Sequence, residues 1–215
     1  MRYFSSFVTK YHFDSILDAG CGKGLLFDRI DNFDESKLLI GVDLQRKKGK
    51  RYQHIVADAT RLPFKNGTFS LVTAFSLLEH IPKTDRKQFY KEMQRVAGDA
   101  GTLVIQLPNR YFIIESHTFL PFFGFLPSNM HSFAYRGGYV AVPSLKNVVH
   151  SLKECGFGVH TVEKCEASFL PFGRLLSRTG LHRLFPVGYV IFARPEKHER
   201  QIRRVPRNPC SSNLL

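Results

Sequence analysis

Ser15-Ile16-Leu17-Asp18-Ala19-Gly20-Cys21-Gly22-Lys23-Gly24-Leu25-Leu26-Phe27-Asp28-Arg29-Ile30 runs from a short apolar segment, through three glycines spaced two apart, into an amphipathic run. The pattern predicts strand, glycine turn, helix. Glycines suit the turn because the backbone must fold back sharply and let a ligand approach where a Cβ would block it. Three glycines alone equally suit a plain tight turn or several kinds of nucleotide binder. A dinucleotide fold places an acid about 20 positions later, on the ribose hydroxyls. Here Leu38-Leu39-Ile40-Gly41-Val42-Asp43 ends a second apolar run in Asp43, which fits a ribose clamp. Two details point to a different ligand. Asp18 precedes the first glycine, a poor neighbour for a pyrophosphate and a good one for a cationic or amino-acid moiety. A third acidic strand end follows in His54-Ile55-Val56-Ala57-Asp58-Ala59-Thr60.

The series continues with Leu62-Pro63-Phe64, Phe69-Ser70-Leu71-Val72 and Leu78-Glu79-His80-Ile81. With Asp18 to Gly24, Gly41-Val42-Asp43 and Ala57-Asp58-Ala59, it resembles the class I S-adenosylmethionine-dependent methyltransferases, in particular the group that includes the quinone-biosynthesis enzymes. The likeness is strong over about residues 14–108 and holds only in outline beyond. It implies S-adenosyl-L-methionine as cofactor. Asp18 would then help hold its methionine end, with Gly20, Cys21, Gly22 and Gly24 forming the turn beside it. Asp43 would take the ribose hydroxyls and Leu44 would pack on the adenine face. Asp58 and Ala59 would meet the adenine, Asp58 accepting from the exocyclic amine. Phe75, at the end of strand four, would line the methionine side. Any one of these Asp residues alone would read as a strand end or a helix cap; three in this order point to one pocket.

The 215 residues are one domain by size. Strands are expected to end near Asp18, Asp43 and Asp58, then to run Phe69–Phe75, Gly101–Leu107, Phe157–Val162 and Val187–Ala193. Helices are expected over Tyr3–Tyr11, Pro82–Val96 and Pro143–Cys155, the last stopped by Gly156. Strands alternating with helices predict a doubly wound, Rossmann-like α/β sheet of seven mostly parallel strands. The resemblance adds an antiparallel last strand. A methyltransferase domain over 1–194 with a lid inserted at about 109–140, then a basic, disordered tail over 195–215, is the expected organisation. No signal-peptide pattern and no run of about 18 apolar residues is present, so a cytoplasmic protein without a membrane span is expected. Cys21, Cys155, Cys165 and Cys210 have no metal-ligand spacing and are expected to be reduced thiols.

Methyl transfer from a sulfonium is an in-line displacement, so alignment is much of the catalysis. An oxygen nucleophile often needs a base as well, and histidine is the usual one. His80 follows strand four beside the expected methyl position. His117 lies just after strand five in Glu115-Ser116-His117, where Glu115 could orient a histidine or bind a substrate hydroxyl. Each of the three equally suits a structural or solvated loop position. The stretch from Asn109 to Arg136 is dense in aromatics, with Phe119-Leu120-Pro121-Phe122-Phe123-Gly124-Phe125-Leu126-Pro127 at its centre. It is too long for a plain connection. A lid over an apolar or lipid-tethered acceptor fits it.

The formal net charge is +13. Arg194 to Arg207 holds six Lys or Arg against two Glu, and Arg46-Lys47-Lys48-Gly49-Lys50-Arg51 follows Asp43 directly. Such a balance suits nucleic acid, an anionic membrane surface or an acidic substrate. A small, apolar or lipid- or sugar-linked acceptor is expected first, with peripheral membrane association. RNA or protein is the alternative acceptor, and a cofactor-binding protein without catalysis is a third reading. Strand four ends Thr73-Ala74-Phe75-Ser76, without the Asn/Asp-Pro-Pro-aromatic signature of amino-group methylators. Oxygen or carbon acceptors are therefore favoured.

Overall fold

The computed structural model describes residues 13–30, 37–46, 52–109, 141–165 and 186–196. Seven strands form one sheet. They are β1 (Ser15–Ala19), β2 (Leu38–Asp43), β3 (Gln53–Val56), β4 (Leu71–Phe75), β5 (Thr102–Pro108), β6 (Phe157–Cys165) and β7 (Gly188–Pro195). Their order is β3-β2-β1-β4-β5-β7-β6. β1 pairs in parallel with β2 and β4, β2 with β3, and β4 with β5. β7 lies antiparallel between β5 and β6. The expected seven strands and the antiparallel last strand are both present.

Alternation along the strands splits the core between two faces. Leu17, Ala19, Val72, Ala74, Leu103 and Ile105 face a layer that includes Phe89, Met93 and Val96 of α1 (Arg86–Ala97) and Val148 and Leu152 of α2 (Leu145–Glu154). Ile16, Leu39, Leu71 and Val104 face Phe13, Leu26, Phe27 and Ile30 on the other side. Every strand of the central four is thereby covered on both sides, as a parallel sheet requires.

Several boundaries differ from expectation. The run after the glycine turn is a single 3₁₀ turn, Phe27–Arg29, because Ile30 already has extended backbone at ψ 104°. α1 begins at Arg86 rather than Pro82, since Pro82–Asp85 is spent on a turn closed by the Asp85 N–H on the Pro82 carbonyl. α2 begins at Leu145, where the Ser144 hydroxyl caps it by accepting from the Asn147 N–H. β4 begins at Leu71 and β6 runs on to Cys165. Gly156 follows α2 with φ +80°. The tail expected from 195 starts later, because β7 runs on to Pro195 and the Glu196 N–H donates to the Gly156 carbonyl. The helix expected over 3–11, the lid from 110 to 140 and the tail from 197 lie outside the described residues.

Candidate active site

The carboxyl ends of β1, β2, β3 and β4 lie side by side, and the glycine turn leaves the sheet there. Ligands of such sheets sit outside these ends. The turn is built by two backbone bonds, from the Gly20 and Cys21 N–H groups to the Val42 carbonyl at 2.8 and 3.0 Å. Gly22 has φ +52°, and a Cβ on it would meet nothing within 4 Å. It therefore combines a backbone that disfavours side chains with an open approach, the geometry a close ligand needs. Gly20 is different: a Cβ there would strike the Leu77 side chain at 2.7 Å.

Asp43 is locked in place. Its Oδ2 accepts from the Gly22 N–H and its Oδ1 from the Gln45 N–H, both at 3.0 Å. One carboxylate offers about four lone-pair positions, so these bonds aim it and leave room for two ribose hydroxyls. Leu44, the next residue, is 72% exposed. Asp58 is exposed; its Oδ1 accepts from the Thr60 N–H and hydroxyl at 2.8 Å each. Ala59 beside it is buried. Their loop is joined to β2 by the Ala57 N–H on the Asp43 carbonyl.

Asp18 is the unusual group. It is 4% exposed, and the Thr73 hydroxyl donates to it at 2.7 Å. Burial, and secondarily the nearby Asp43 charge, push its carboxyl from 3.8 up to about 7, against the Thr73 bond. A buried carboxyl of this kind favours a cationic partner. Cys21 is buried and inert: burial and the Asp18 and Asp43 charges push its thiol up to about 12, so it is no nucleophile. Phe75 is partly buried at the β4 end, opposite Gln106 of β5. His80 is exposed and closes a 3₁₀ turn, Leu78–His80, one step beyond β4. Glu115 and His117 lie outside the described residues. Among the described residues, no group of His, Cys, Asp and Glu is placed to hold a metal ion.

Two further supports hold the site. Tyr52 slides under the glycine turn, stacked on Phe27 with ring centroids 4.6 Å apart. A Cβ on Gly24 would meet its ring at 2.2 Å, and one on Gly41 at 2.6 Å. The second support is a clamp on Leu62-Pro63-Phe64. Arg95 donates to the Leu62 and Phe64 carbonyls at 3.0 and 2.6 Å. It also makes a two-pronged pair with Glu92, at 2.9 and 2.8 Å. Glu92 Oε2 accepts from the Leu62 N–H at 2.9 Å. The Arg95 hydrogen bonds hold the Glu92 carboxyl below the usual carboxylate range. The loop that carries Asp58 and Ala59 is thus pinned to α1. Glu three residues before Arg on a helix was the available signal.

This strand order, with a glycine turn after β1 and acids at or within two residues of the ends of β1, β2 and β3, defines a class I, Rossmann-like methyltransferase fold. Residues 17–105 match the family model described as a methyltransferase domain. A methyltransferase of Mesorhizobium loti, described as S-adenosylmethionine-dependent, superposes with TM-score 0.60 at 15% identity, covering 84% of this chain and 90% of that one. A Burkholderia thailandensis N1-methyltransferase solved with S-adenosylhomocysteine superposes with TM-score 0.57 at 13% identity, covering 90% and 77%. The chloroplast tocopherol O-methyltransferase of Arabidopsis thaliana is 32% identical over 106 residues, 42% of this chain and 29% of that protein. The chain spans less than half the length of the curated relatives it matches. S-adenosyl-L-methionine is the cofactor of this class of domain.

Proposed function

We propose that the chain transfers a methyl group from S-adenosyl-L-methionine to an oxygen or carbon of a small, apolar or lipid- or sugar-linked acceptor. The observation that carries the cofactor half is one side-by-side set. Leu44 is 72% exposed directly after Asp43, whose carboxylate is fixed by the Gly22 and Gln45 N–H groups. An apolar platform beside an aimed carboxylate fits an adenine on its ribose. Asp18 fits the ammonium of the methionine end, and the open space at Gly22 fits close passage of its chain. When bound, the cofactor supplies an electrophilic methyl on a sulfonium. Asp43 would hold the ribose, Asp58 and Ala59 the adenine edge, and Phe75 would exclude water from the methionine side. His80, in the 3₁₀ turn that follows β4, would be the base for an oxygen nucleophile.

The acceptor half rests on chemistry in the sequence. β4 ends in Phe75-Ser76, without the paired prolines of amino-group methylators, and the aromatic segment after Asn109 suits an apolar acceptor. The plant relative is named for an O-methyl transfer to tocopherol. The net charge of +13 favours a second reading, an RNA acceptor. It also suits peripheral attachment to an anionic membrane. No helix among the described residues is long and apolar enough to cross a membrane.

Methyl-labelled cofactor incubated with the protein and a cell extract tests the reading. Label in the lipid or small-molecule fraction supports it. Label in RNA or protein replaces the acceptor, and label in no fraction removes the activity.

A further inference from the structure

Ser76 is the only residue other than glycine with positive φ among the described residues, at +50°. Left-handed backbone at a non-glycine residue is uncommon and concentrates at functional sites. The strain is held by one partner. The Ser76 N–H donates to the Gln106 carbonyl at 3.2 Å. The Ser76 hydroxyl donates to Gln106 Oε1 at 2.8 Å. Gln106 lies on β5 opposite Phe75, so the pair bridges the carboxyl ends of β4 and β5. Ser76 is exposed and Gln106 half-buried. The carboxamide nitrogen of Gln106 lies beside Gly188 of β7, where a Cβ would stand 3.4 Å from it.

We infer that Ser76 and Gln106 form a recognition pair for a neutral hydroxyl group on the acceptor. Three facts converge. The pair sits immediately beyond Phe75, at the strand end beside the one occupied by the glycine turn. With its proton committed to Gln106, the Ser76 oxygen keeps its lone pairs and accepts from an incoming hydroxyl. Gln106 Oε1 takes the Ser76 proton on one lone pair, and its carboxamide nitrogen supplies N–H donors beside it. One acceptor site and one donor site side by side match a hydroxyl, which both gives and takes a hydrogen bond. A carbon nucleophile without a neighbouring hydroxyl makes neither contact, and an ammonium or carboxylate meets one wrong partner. Of the two acceptor atoms proposed above, this favours oxygen. Neither side chain titrates near neutrality, so the pair positions the acceptor and moves no proton. The inference rests on the methyl-transfer reading of the same strand ends.

The test compares S76A, S76G and Q106E with wild type. Three quantities are measured: melting temperature, calorimetric affinity for S-adenosylhomocysteine, and initial rate of label transfer into the extract fraction that wild type labels. S76A and S76G both lack the hydroxyl, but only S76G relieves the left-handed strain. S76G should therefore melt above S76A. Both should lose about tenfold or more in transfer, the effect of one orienting hydrogen bond, with cofactor affinity unchanged. Q106E still accepts from Ser76 but cannot donate, and should lose transfer to the same degree. Transfer that tracks melting temperature, with S76G near wild type, overturns the pair as a recognition device and makes it a structural one. Unchanged transfer in all three overturns it as well. A wild-type chain that binds S-adenosylhomocysteine but labels nothing fails the methyl-transfer reading itself and takes the pair with it.

Discussion

Replacing Asp18 with Asn should make the cofactor-free protein more stable near neutral pH while weakening its hold on the cofactor. The carboxyl is buried and ionises near 7 in the folded chain, against 3.8 when exposed. Between those values the folded state holds a proton that the unfolded state has lost. Stability then falls as pH rises, by about 1.4 kcal/mol per pH unit. The full contribution is present below about pH 4 and gone above about pH 7. Across that window it amounts to roughly 4 kcal/mol as an upper limit. Asn keeps an oxygen for the Thr73 hydroxyl and carries no charge, so the variant lacks this slope. Urea unfolding of both proteins at half-unit steps from pH 4 to 8 measures it. The stability difference should be near zero at pH 4 and grow in favour of the variant to a few kcal/mol at pH 8. Parallel curves for the two proteins would refute the buried, raised carboxyl. A cationic methionine end beside Asp18 favours the ionised form, so cofactor binding below pH 7 should release a proton in wild type and none in the variant.

Other outcomes follow from the same site. Gly22→Ala meets no atom and should fold with a loss of about 1 kcal/mol from its positive φ, yet bind S-adenosylhomocysteine at least tenfold more weakly. Gly24→Ala must displace Tyr52 and should lose more stability than Gly22→Ala in the same urea titration. Arg95→Ala breaks the clamp on Leu62 and Phe64 and leaves Glu92 without its cation; about 2–3 kcal/mol of stability should go. In wild type that pair's contribution is present above the ordinary carboxylate range and is lost as pH falls below it, because the Glu92 carboxyl is held low. Cys21 should resist iodoacetamide at pH 8 in the folded protein and react on unfolding, since its thiol is pushed up to about 12.

Much of this was written in short stretches of sequence. Parallel strands buried on both faces appear as apolar runs, and Leu17, Val42 and Val72 mark their cores because no solvent face interrupts them. Asp43 and Asp58 declared themselves by standing at the ends of such runs. What lay hidden depends on contacts distant in sequence. Tyr52 explains the glycines at 24 and 41, yet nothing in its neighbours Arg51 and Gln53 points to a ring stacked on Phe27. Arg95 has the spacing of a solvated helix residue like Lys87 and Lys91, and only the fold turns it onto the Leu62 and Phe64 carbonyls. The amphipathic run from Leu25 to Ile30 suggested a helix; its apolar side chains are indeed buried at Leu26, Phe27 and Ile30, but over one 3₁₀ turn that Ile30 ends. The strain at Ser76 has no sequence signature at all, because serine carries no mark of a left-handed backbone.

Calorimetric titration of the full chain with S-adenosylhomocysteine, beside Asp43→Ala and a titration with NAD, tests the central claim most directly. The site described here predicts one ligand bound per chain, a loss of affinity of at least tenfold in Asp43→Ala, and no heat from NAD. Equal affinity in wild type and Asp43→Ala, or binding of NAD in place of S-adenosylhomocysteine, would contradict it.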